Sequence, residues 1–293
     1  MQRLVGLFVG LCVVLGGFGV AAAQEDTMPP PKVLLVGREW VKPGKTGAVH
    51  EKSESAFVQA FAKAKWPTHY LAVSSLSGRS RVLFLAGYDS FDAWEKDYAA
   101  VMKNTALSSA LDRALVADGE LLSDFDQSIL VYDEDESLRP NVDIAHMRYF
   151  EISLYHVKPG HHHDWEEIVK LVKAAYEKIP DVHWATYETA YSQQPSGTYV
   201  IFSAHKSAAE IDHLYSENKD FVTAMGEEGM KKLRELESAA IDSDQSNLFA
   251  FTPSMSYAPD EWVKADPEFW KPKMMSSGGM KKPAEKPAEK PAQ

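Results

Sequence analysis

The tetrapeptide Val41-Lys42-Pro43-Gly44 recurs as Val157-Lys158-Pro159-Gly160, at an offset of 116 residues (160 − 44). Each copy follows an apolar run and precedes a stretch whose apolar residues have helical spacing. Proline cannot continue a strand and glycine favours a turn, so each copy marks a change from strand to helix. The chain therefore contains the same strand–turn–helix segment twice.

Three further pairs of short segments repeat in the same order. The pairs are His69-Tyr70 with His183-Trp184 (183 − 69 = 114), Val82 to Ala86 with Tyr199 to Ser203 (199 − 82 = 117), and Asp126 to Ser128 with Asp244 to Ser246 (244 − 126 = 118). One tetrapeptide recurs easily by chance. Four matches in one order, with offsets that drift by only a few residues, indicate a duplication.

Each unit is predicted to run β-α-β-β-α-β, with a further helical stretch before the last strand. Predicted strands are 33–41, 69–74, 81–87 and 128–132, then 148–157, 183–190, 198–204 and 247–252; predicted helices are 50–64, 90–102 and 106–122, then 165–179, 207–225 and 228–240. This is the split order of ferredoxin-like α+β folds. Helices on one side leave a bare sheet face that must be covered. We therefore expect the two units to pack sheet to sheet as an intramolecular α+β barrel.

The termini differ in composition from the two units. Arg3, an apolar run over 4–20 and Ala21-Ala22-Ala23 are typical of a secretory signal peptide. From residue 276 the chain is rich in Lys, Pro, Ala and Glu, which cannot bury an apolar face. The predicted organisation is a signal peptide 1–23, a linker 24–32, a first repeat 33–133, an acidic surface linker 134–145, a second repeat 146–256 and a disordered tail 257–293.

Charge and cysteine content exclude several classes of function. The net charge is −11, and an acidic surface repels phosphate backbones, so we expect no nucleic-acid partner. The one cysteine is Cys12, inside the predicted signal peptide. The mature chain would then contain no disulfide, thiolate metal site or cysteine nucleophile. We predict a periplasmic or secreted protein with no membrane span after signal cleavage, present as a monomer or a homodimer.

The two Lys-Pro-Gly turns, each followed by an amphipathic helix, a hairpin and a second helix, resemble the dimeric α+β-barrel superfamily. Within it, the pattern is similar to NIPSNAP-like and antibiotic-biosynthesis-monooxygenase-like domains. The resemblance covers nearly all of residues 33–252. It implies a fold and a range of activities, since such families include cofactor-independent oxygenases, haem-binding enzymes and proteins with no assigned activity. Fold does not choose between them.

Polar side chains on the strands of the second unit predict a ligand pocket. Glu151 and Tyr155 alternate with apolar residues, whereas Leu35 and Glu39 hold the corresponding positions in the first unit. We expect a small apolar or aromatic ligand inside the barrel, bound by Glu151, Tyr155, His183, Tyr187 and His205. Two alternatives stay open. Glu151 could pair with Arg148 or Arg38, and His183, like His69, could bond a backbone carbonyl at a strand end.

A histidine-rich stretch follows the second turn. His162 with Glu166, and His163 with Glu167, lie one helical turn apart and could share a divalent metal. Acidic residues are also favoured at a helix N-terminus by the dipole, so a solvated helix start is the preferred interpretation. A haem would need an axial histidine, for which the candidates are His213 and His146.

The sequence therefore predicts an exported small-molecule-binding α+β barrel with no cofactor and no assigned catalytic residue. The alternative is a cofactor-independent monooxygenase-like enzyme. A haem- or metal-binding protein is a more distant alternative. Whether the chain is an enzyme is left open, because the repeated motif is structural.

Overall fold

The computed structural model describes residues 27–216 and 218–271. The first unit comprises β1 (Val33–Val41), α1 (Ala48–Ala64), β2 (Leu71–Ser75), β3 (Arg81–Tyr88), α2 (Phe91–Lys103), α3 (Thr105–Gly119) and β4 (Leu122–Leu138). The second comprises β5 (Tyr149–Val157), α4 (His162–Tyr176), β6 (Trp184–Tyr191), β7 (Thr198–His205), α5 (Ala208–Ser216), α6 (Asn218–Ala240) and β8 (Ile241–Phe251). Two short helices follow, α7 (Asp260–Ala265) and α8 (Pro267–Trp270). The predicted signal peptide, residues 24–26 of the first linker and residues 272–293 lie outside the described residues.

The strand-to-helix turns that define the repeat have the expected backbone. Gly44 and Gly160 have φ values of 78° and 87°, in the left-handed region that glycine adopts at little cost. In each unit the turn separates the first strand from the first helix, as the sequence predicts. In the second unit, the predicted break between helices near residue 226 is the non-helical Gly226 inside α6.

The eight strands form one closed antiparallel barrel in the order β1-β3-β2-β8-β5-β7-β6-β4. Two pairings join the units: Val73 of β2 lies opposite Phe251 of β8, and Leu130 of β4 lies opposite Thr189 of β6. Closure pairs the strand edges that a single unit would leave open. The predicted α+β barrel is confirmed.

Alternation along the strands separates the barrel interior from an outer layer. Leu34 and Val36 of β1 and Phe150 and Ile152 of β5 belong to the buried apolar cluster inside the barrel, whereas Glu151 lies on the outer face. Outside the sheet, α1 packs against α3 in the first unit and α4 against α6 in the second. Each unit therefore has an outer layer between its sheet and its helices.

The prediction that the acidic segment is an exposed linker is wrong for the first half of the segment. β4 continues to Leu138, and Glu136, Ser137 and Leu138 are buried. The Glu136 carboxylate accepts a hydrogen bond from Trp165 Nε1 at 2.9 Å, and its carbonyl accepts one from Trp184 Nε1 at 2.9 Å. Acidic composition predicted exposure, but two indole N–H donors from the second unit satisfy the polar groups of this segment.

The predicted disordered tail begins too early. Residues 257–271 include α7 and α8, and Trp270 is 5% exposed at one end of the barrel. Its indole N–H donates to the carbonyl of Ala145 at 2.9 Å, and Arg148 pairs with Asp266. The tryptophan and phenylalanine side chains of this segment supply apolar area for burial, and the Lys/Pro/Ala/Glu-rich sequence after it has no such side chains. Over the residues that the structure describes, no helix is both long and apolar enough to cross a bilayer.

Candidate functional site

A cavity of about 480 Å³ lies between the outer face of the second unit's sheet and its helices. We call it the outer cavity. Its residues on the sheet side include Glu151, Ser153, Tyr155, Ile201, Ser203 and His205, and on the helix side Trp165, Ile168, Val172, Ile211 and Leu214. The volume falls in the range typical of small-molecule sites.

Four of the five predicted ligand residues line this one cavity: Glu151, Tyr155, His183 and His205. The fifth, Tyr187, lies inside the barrel, where its hydroxyl donates to the carbonyl of Pro31 at 3.2 Å. The prediction that Glu151 and Tyr155 point into the barrel is therefore wrong. Alternation alone cannot say which strand face points inward, and here the polar face turns towards the helices.

His205 is a buried polar side chain that lines the outer cavity and has no hydrogen-bond partner among the described residues. It ends β7, is 2% exposed, and neither of its ring nitrogens has a hydrogen-bond partner. Burial lowers the pKa of His205, so its ring is neutral at pH 7 and offers one donor and one acceptor. Buried polar side chains are nearly always paired, so this ring is ready to bond a molecule in the cavity.

His183 shows the alternative role considered from the sequence. Its Nδ1 lies 3.1 Å from the carbonyl oxygen of Asp181, and its Nε2 lies 2.9 Å from that of Ala204. The corresponding His69 Nδ1 lies 3.2 Å from the carbonyl oxygen of Tyr257. Both histidines thus contact backbone carbonyls near a strand start, although His183 also lines the outer cavity.

The outer cavity has a negative lining. Among the described residues around it, none is lysine or arginine, and the carboxyl groups are those of Glu136, Glu151, Asp181, Glu210 and Glu237. Burial raises the pKa of Glu151, and it raises that of Glu136 to about 7. Burial also raises the pKa of Tyr155 to about 12, with the charge of Asp244 adding to it. Such a lining favours ligands that donate hydrogen bonds or carry positive charge.

The two arginines proposed as partners of Glu151 have other partners. Arg148 pairs with Asp266, and Arg38 pairs with Asp126 on the neighbouring strand β4. That alternative is therefore wrong, and Glu151 stays a half-buried carboxyl group on the cavity wall.

The histidine-rich helix start lies on the surface. The side chains of His162 and His163 are 65% and 79% exposed, and both lie near Glu166, at 3.5 and 3.4 Å. Glu167 instead pairs with Lys232 at 3.1 Å. The four residues thus do not converge as the helical spacing suggested. Of the haem candidates, His213 is exposed and the His146 ring bonds Asp143 at 2.5 Å.

A second group of ionisable side chains, which the sequence reasoning missed, lies in the outer layer of the first unit. Glu39 of β1, His50 and Glu54 of α1, and Asp118 of α3 are 5%, 2%, 2% and 1% exposed. One ligand atom from each lies within 4.8 Å of the others. We call these four residues the buried quartet. They could hold a metal ion, because carboxylate oxygen and imidazole nitrogen are both metal ligands.

Burial and the interactions within the buried quartet shift the pKa of each member, and burial raises the pKa of Glu39. Burial, together with the charges of Glu39 and Asp118, raises the pKa of Glu54 to about 9. Burial lowers the pKa of His50, but its interactions with Asp118 and Glu39 outweigh this and raise it to about 10. Burial raises the pKa of Asp118, yet His50 keeps it below its usual value. In the metal-free protein, Glu54 is thus protonated at pH 7.

The sequence carried one usable signal for this quartet. His50 and Glu54 are one turn apart on the apolar face of α1, where an ionisable pair is unusual. Glu39 and Asp118 come from a strand and a distant helix, so their approach depends on the tertiary structure.

Comparisons with known proteins identify similar folds only. No protein-family model matches the sequence, and no curated protein is significantly similar to it. Similar solved structures include a proposed monooxygenase from Fusobacterium nucleatum subsp. nucleatum (12% identity, 76% of this chain and 94% of that chain covered, TM-score 0.48). Others are an anthrone oxidase-like protein (12%, 75% and 91%, 0.47) and a mutant chlorite dismutase from Candidatus Nitrospira defluvii (9%, 80% and 95%, 0.45). At these identities the likeness concerns architecture alone.

Proposed function

We propose that the protein binds a small aromatic molecule in the outer cavity of the second unit. The observation that carries this proposal is His205, a buried imidazole with two unpartnered nitrogens beside a cavity of about 480 Å³. A ligand with a polar group at that point would satisfy the ring. It would also remove the cost of leaving a buried polar group unpaired.

The charge of the lining narrows the ligand class. Carboxyl groups with no lysine or arginine among the described lining residues favour a molecule with an amine or another hydrogen-bond donor over an anion. Tyr155, Trp165 and Tyr176 supply aromatic surface on which a flat ring can pack. We therefore infer an aromatic ligand with a donor or cationic group that contacts Glu151 and His205.

Isothermal calorimetry with 2-phenylethylamine, 2-phenylethanol and phenylacetate tests both the binding of an aromatic ligand and the preference for a donor or cationic group. The three probes have similar size and different charge. We expect the amine to bind tightest and the carboxylate weakest. Glu151→Gln and His205→Phe should each weaken binding of the amine about tenfold, the loss expected for one hydrogen bond to a buried polar group.

The matched control is Glu188→Gln, which removes a carboxyl group from an exposed position on β6 outside the cavity. It should leave the affinity for the amine unchanged. The proposal fails if the wild-type protein binds none of the three probes at about 10 mM. It also fails if both cavity variants bind the amine as the wild type does.

Cofactor-independent oxygenase chemistry is a second candidate, favoured by one observation. Burial raises the pKa of Glu151, and a desolvated carboxylate is a stronger base than one in water. Such a base could remove a proton from an acidic C–H group of a bound substrate. The test measures oxygen uptake with anthrone as the probe. Uptake that Glu151→Gln abolishes would favour catalysis. If there is no uptake, ligand binding remains as the proposed function.

Export and the nearer family resemblance stay proposals. We propose that the chain acts outside the cytoplasm, because residues 1–23 have the three parts of a signal peptide. The mass of the purified native protein should correspond to a chain that begins at Gln24. Membership among NIPSNAP-like or antibiotic-biosynthesis-monooxygenase-like domains rests on the Lys-Pro-Gly turn pattern.

A further inference from the structure

We propose that the buried quartet of the first unit, Glu39, His50, Glu54 and Asp118, binds one divalent ion of a first-row transition metal such as Mn²⁺, Fe²⁺ or Zn²⁺. The site is separate from the outer cavity, which lies in the other unit. The proposal is therefore independent of the proposed ligand-binding function.

Distances within the quartet are those of a nearly formed coordination sphere. His50 Nε2 lies 3.0 Å from Glu39 Oε2, 3.6 Å from Asp118 Oδ1 and 3.8 Å from Glu54 Oε1. Ligands at about 2.1 Å from one metal ion lie roughly 3.0–3.4 Å apart when they are neighbours. His50 Nε2 is therefore near ligand spacing from the three carboxylates, and with all four ligand atoms within 4.8 Å of one another, small side-chain movements would bring them onto one ion.

Unpartnered oxygens provide an independent reason to place a ligand here. Glu54 Oε1 and both carboxylate oxygens of Asp118 are buried and have no hydrogen-bond partner. These side chains are only 2% and 1% exposed. Buried acceptors without donors are rare and costly, and a cation at the centre of the quartet would satisfy all three oxygens.

The charge balance matches a divalent cation. Among the described residues, the ion-pair partner of Glu39, Glu54 and Asp118 is His50 in every case. Three carboxylates and one imidazolium would leave two excess negative charges in a dry site. A divalent ion bound by three carboxylates and a neutral imidazole lowers this excess to one negative charge, and it does so without a protonated carboxyl group in the site.

Ligand chemistry favours a transition metal over Ca²⁺ or Mg²⁺. Imidazole is a good ligand for Zn²⁺ and Fe²⁺, and carboxylates suit Mn²⁺ and accept the others. Ca²⁺ requires six to eight oxygens and Mg²⁺ keeps several waters, and a site whose side chains are at most 5% exposed offers little water to either.

The second unit shows that the fold does not require charge at these positions. Tyr155, Trp165 and Val169 hold the places of Glu39, His50 and Glu54, at offsets of 116, 115 and 115 (155 − 39, 165 − 50, 169 − 54). The Tyr155 and Trp165 rings are in contact, with centroids 5.3 Å apart, as Glu39 and His50 are. An aromatic contact therefore suffices for packing there, and the quartet needs another explanation.

Metal binding by the full mature chain, stripped with EDTA and then freed of the chelator, tests the proposal. Calorimetry with Mn²⁺ and Zn²⁺ should show one ion bound per chain, and thermal unfolding should shift to higher temperature with either metal. Glu54→Gln and Asp118→Asn should each weaken the affinity by at least about 100-fold. Glu95→Gln, on the exposed side of α2, is the matched control and should bind as the wild type does.

The exposed histidines of α4 are the alternative place where an added metal ion could bind. A His162→Ala, His163→Ala double variant should keep the bound ion. X-ray absorption of the wild-type zinc complex should show one imidazole in the coordination sphere, a result that needs no variant to fold. Wild-type protein that binds none of the ions at about 1 mM overturns the proposal. A second result would also overturn it: the double histidine variant no longer binds the ion, while the Glu54→Gln variant still does. Circular dichroism checks that the Glu54→Gln variant is folded.

Discussion

The outer layers of the two units use the same backbone for opposite chemistry. Between sheet and helices, the first unit has the buried quartet, while the second has the Trp165 and Tyr155 contact and, beside it, the outer cavity. The strands that support them have the same order and the same Lys-Pro-Gly turn. Both units contribute to the buried apolar cluster inside the barrel. The difference teaches that the barrel sets positions, while the side chains of the outer layer set what each position does.

The second unit depends on aromatic packing at the position that His50 occupies in the first. Trp165 is 2% exposed, stacks on Tyr199 with ring centroids 4.6 Å apart, and donates to Glu136. We expect Trp165→Ala to lower the free energy of unfolding by about 3–5 kcal/mol, because it leaves a cavity and an unpaired carboxyl group. Urea denaturation measures the change.

The control is Trp94→Ala, which removes a half-buried tryptophan from α2. Its cost should be clearly smaller, about 1–2 kcal/mol. Equal losses for the two variants would contradict the idea that the outer layer of the second unit is held by Trp165.

Replacing the buried quartet should affect the first unit in the opposite direction. We expect the variant with leucine at Glu39, His50, Glu54 and Asp118 to be more stable than the metal-free wild type by about 1–4 kcal/mol. Apolar residues of similar volume commonly outperform a buried ionic cluster. Thermal and urea unfolding in the presence of EDTA give the comparison, and added Zn²⁺ should stabilise only the wild type.

His50→Ala is the contrasting variant. It leaves three carboxyl groups without their imidazole and should destabilise the metal-free protein by about 3 kcal/mol. A leucine variant less stable than the metal-free wild type would show that the quartet supports the fold itself.

The smallest expected effect concerns Glu136, which joins β4 of the first unit to α4 of the second. Burial raises its pKa from 4.5 to about 7, so between these values the folded state binds more protons than the unfolded state. Stability therefore falls as pH rises through this window. We expect Glu136→Gln to gain about 2 kcal/mol relative to the wild type between pH 5 and about pH 8.

Urea unfolding at a series of pH values measures this gain. Glutamine keeps an acceptor for the indole N–H of Trp165 and has no charge to bury. A difference between the two proteins that stays constant with pH would mean that the Glu136 carboxyl group is not perturbed. The matched control is Glu134→Gln, an exposed change on the same strand.

Sequence reasoning selected four residues that line one cavity of the second unit, and it placed that cavity on the wrong side of the sheet. Glu151, Tyr155, His183 and His205 were selected as polar residues on strands, and they line one cavity. Their side of the sheet was wrong, because period-two alternation has no marker for the inside of a barrel. The quartet was missed for a different reason. Glu39 and Asp118 are separated by most of a unit. The packing of α1 against α3 brings Asp118 to His50, and Glu39 reaches His50 from strand β1.

What the sequence determined by itself is the repeat, the element order and the closed barrel, since turns, apolar periodicity and the need to cover a sheet face are local properties. The tertiary structure alone decided which strand face lines the barrel, where Glu136 and Trp270 are buried, and which ionisable groups meet. Those outcomes depend on contacts between segments far apart in the chain. Buried polar groups are satisfied or left unpaired only by such contacts, and this is why the four members of the quartet could not be grouped from the sequence alone.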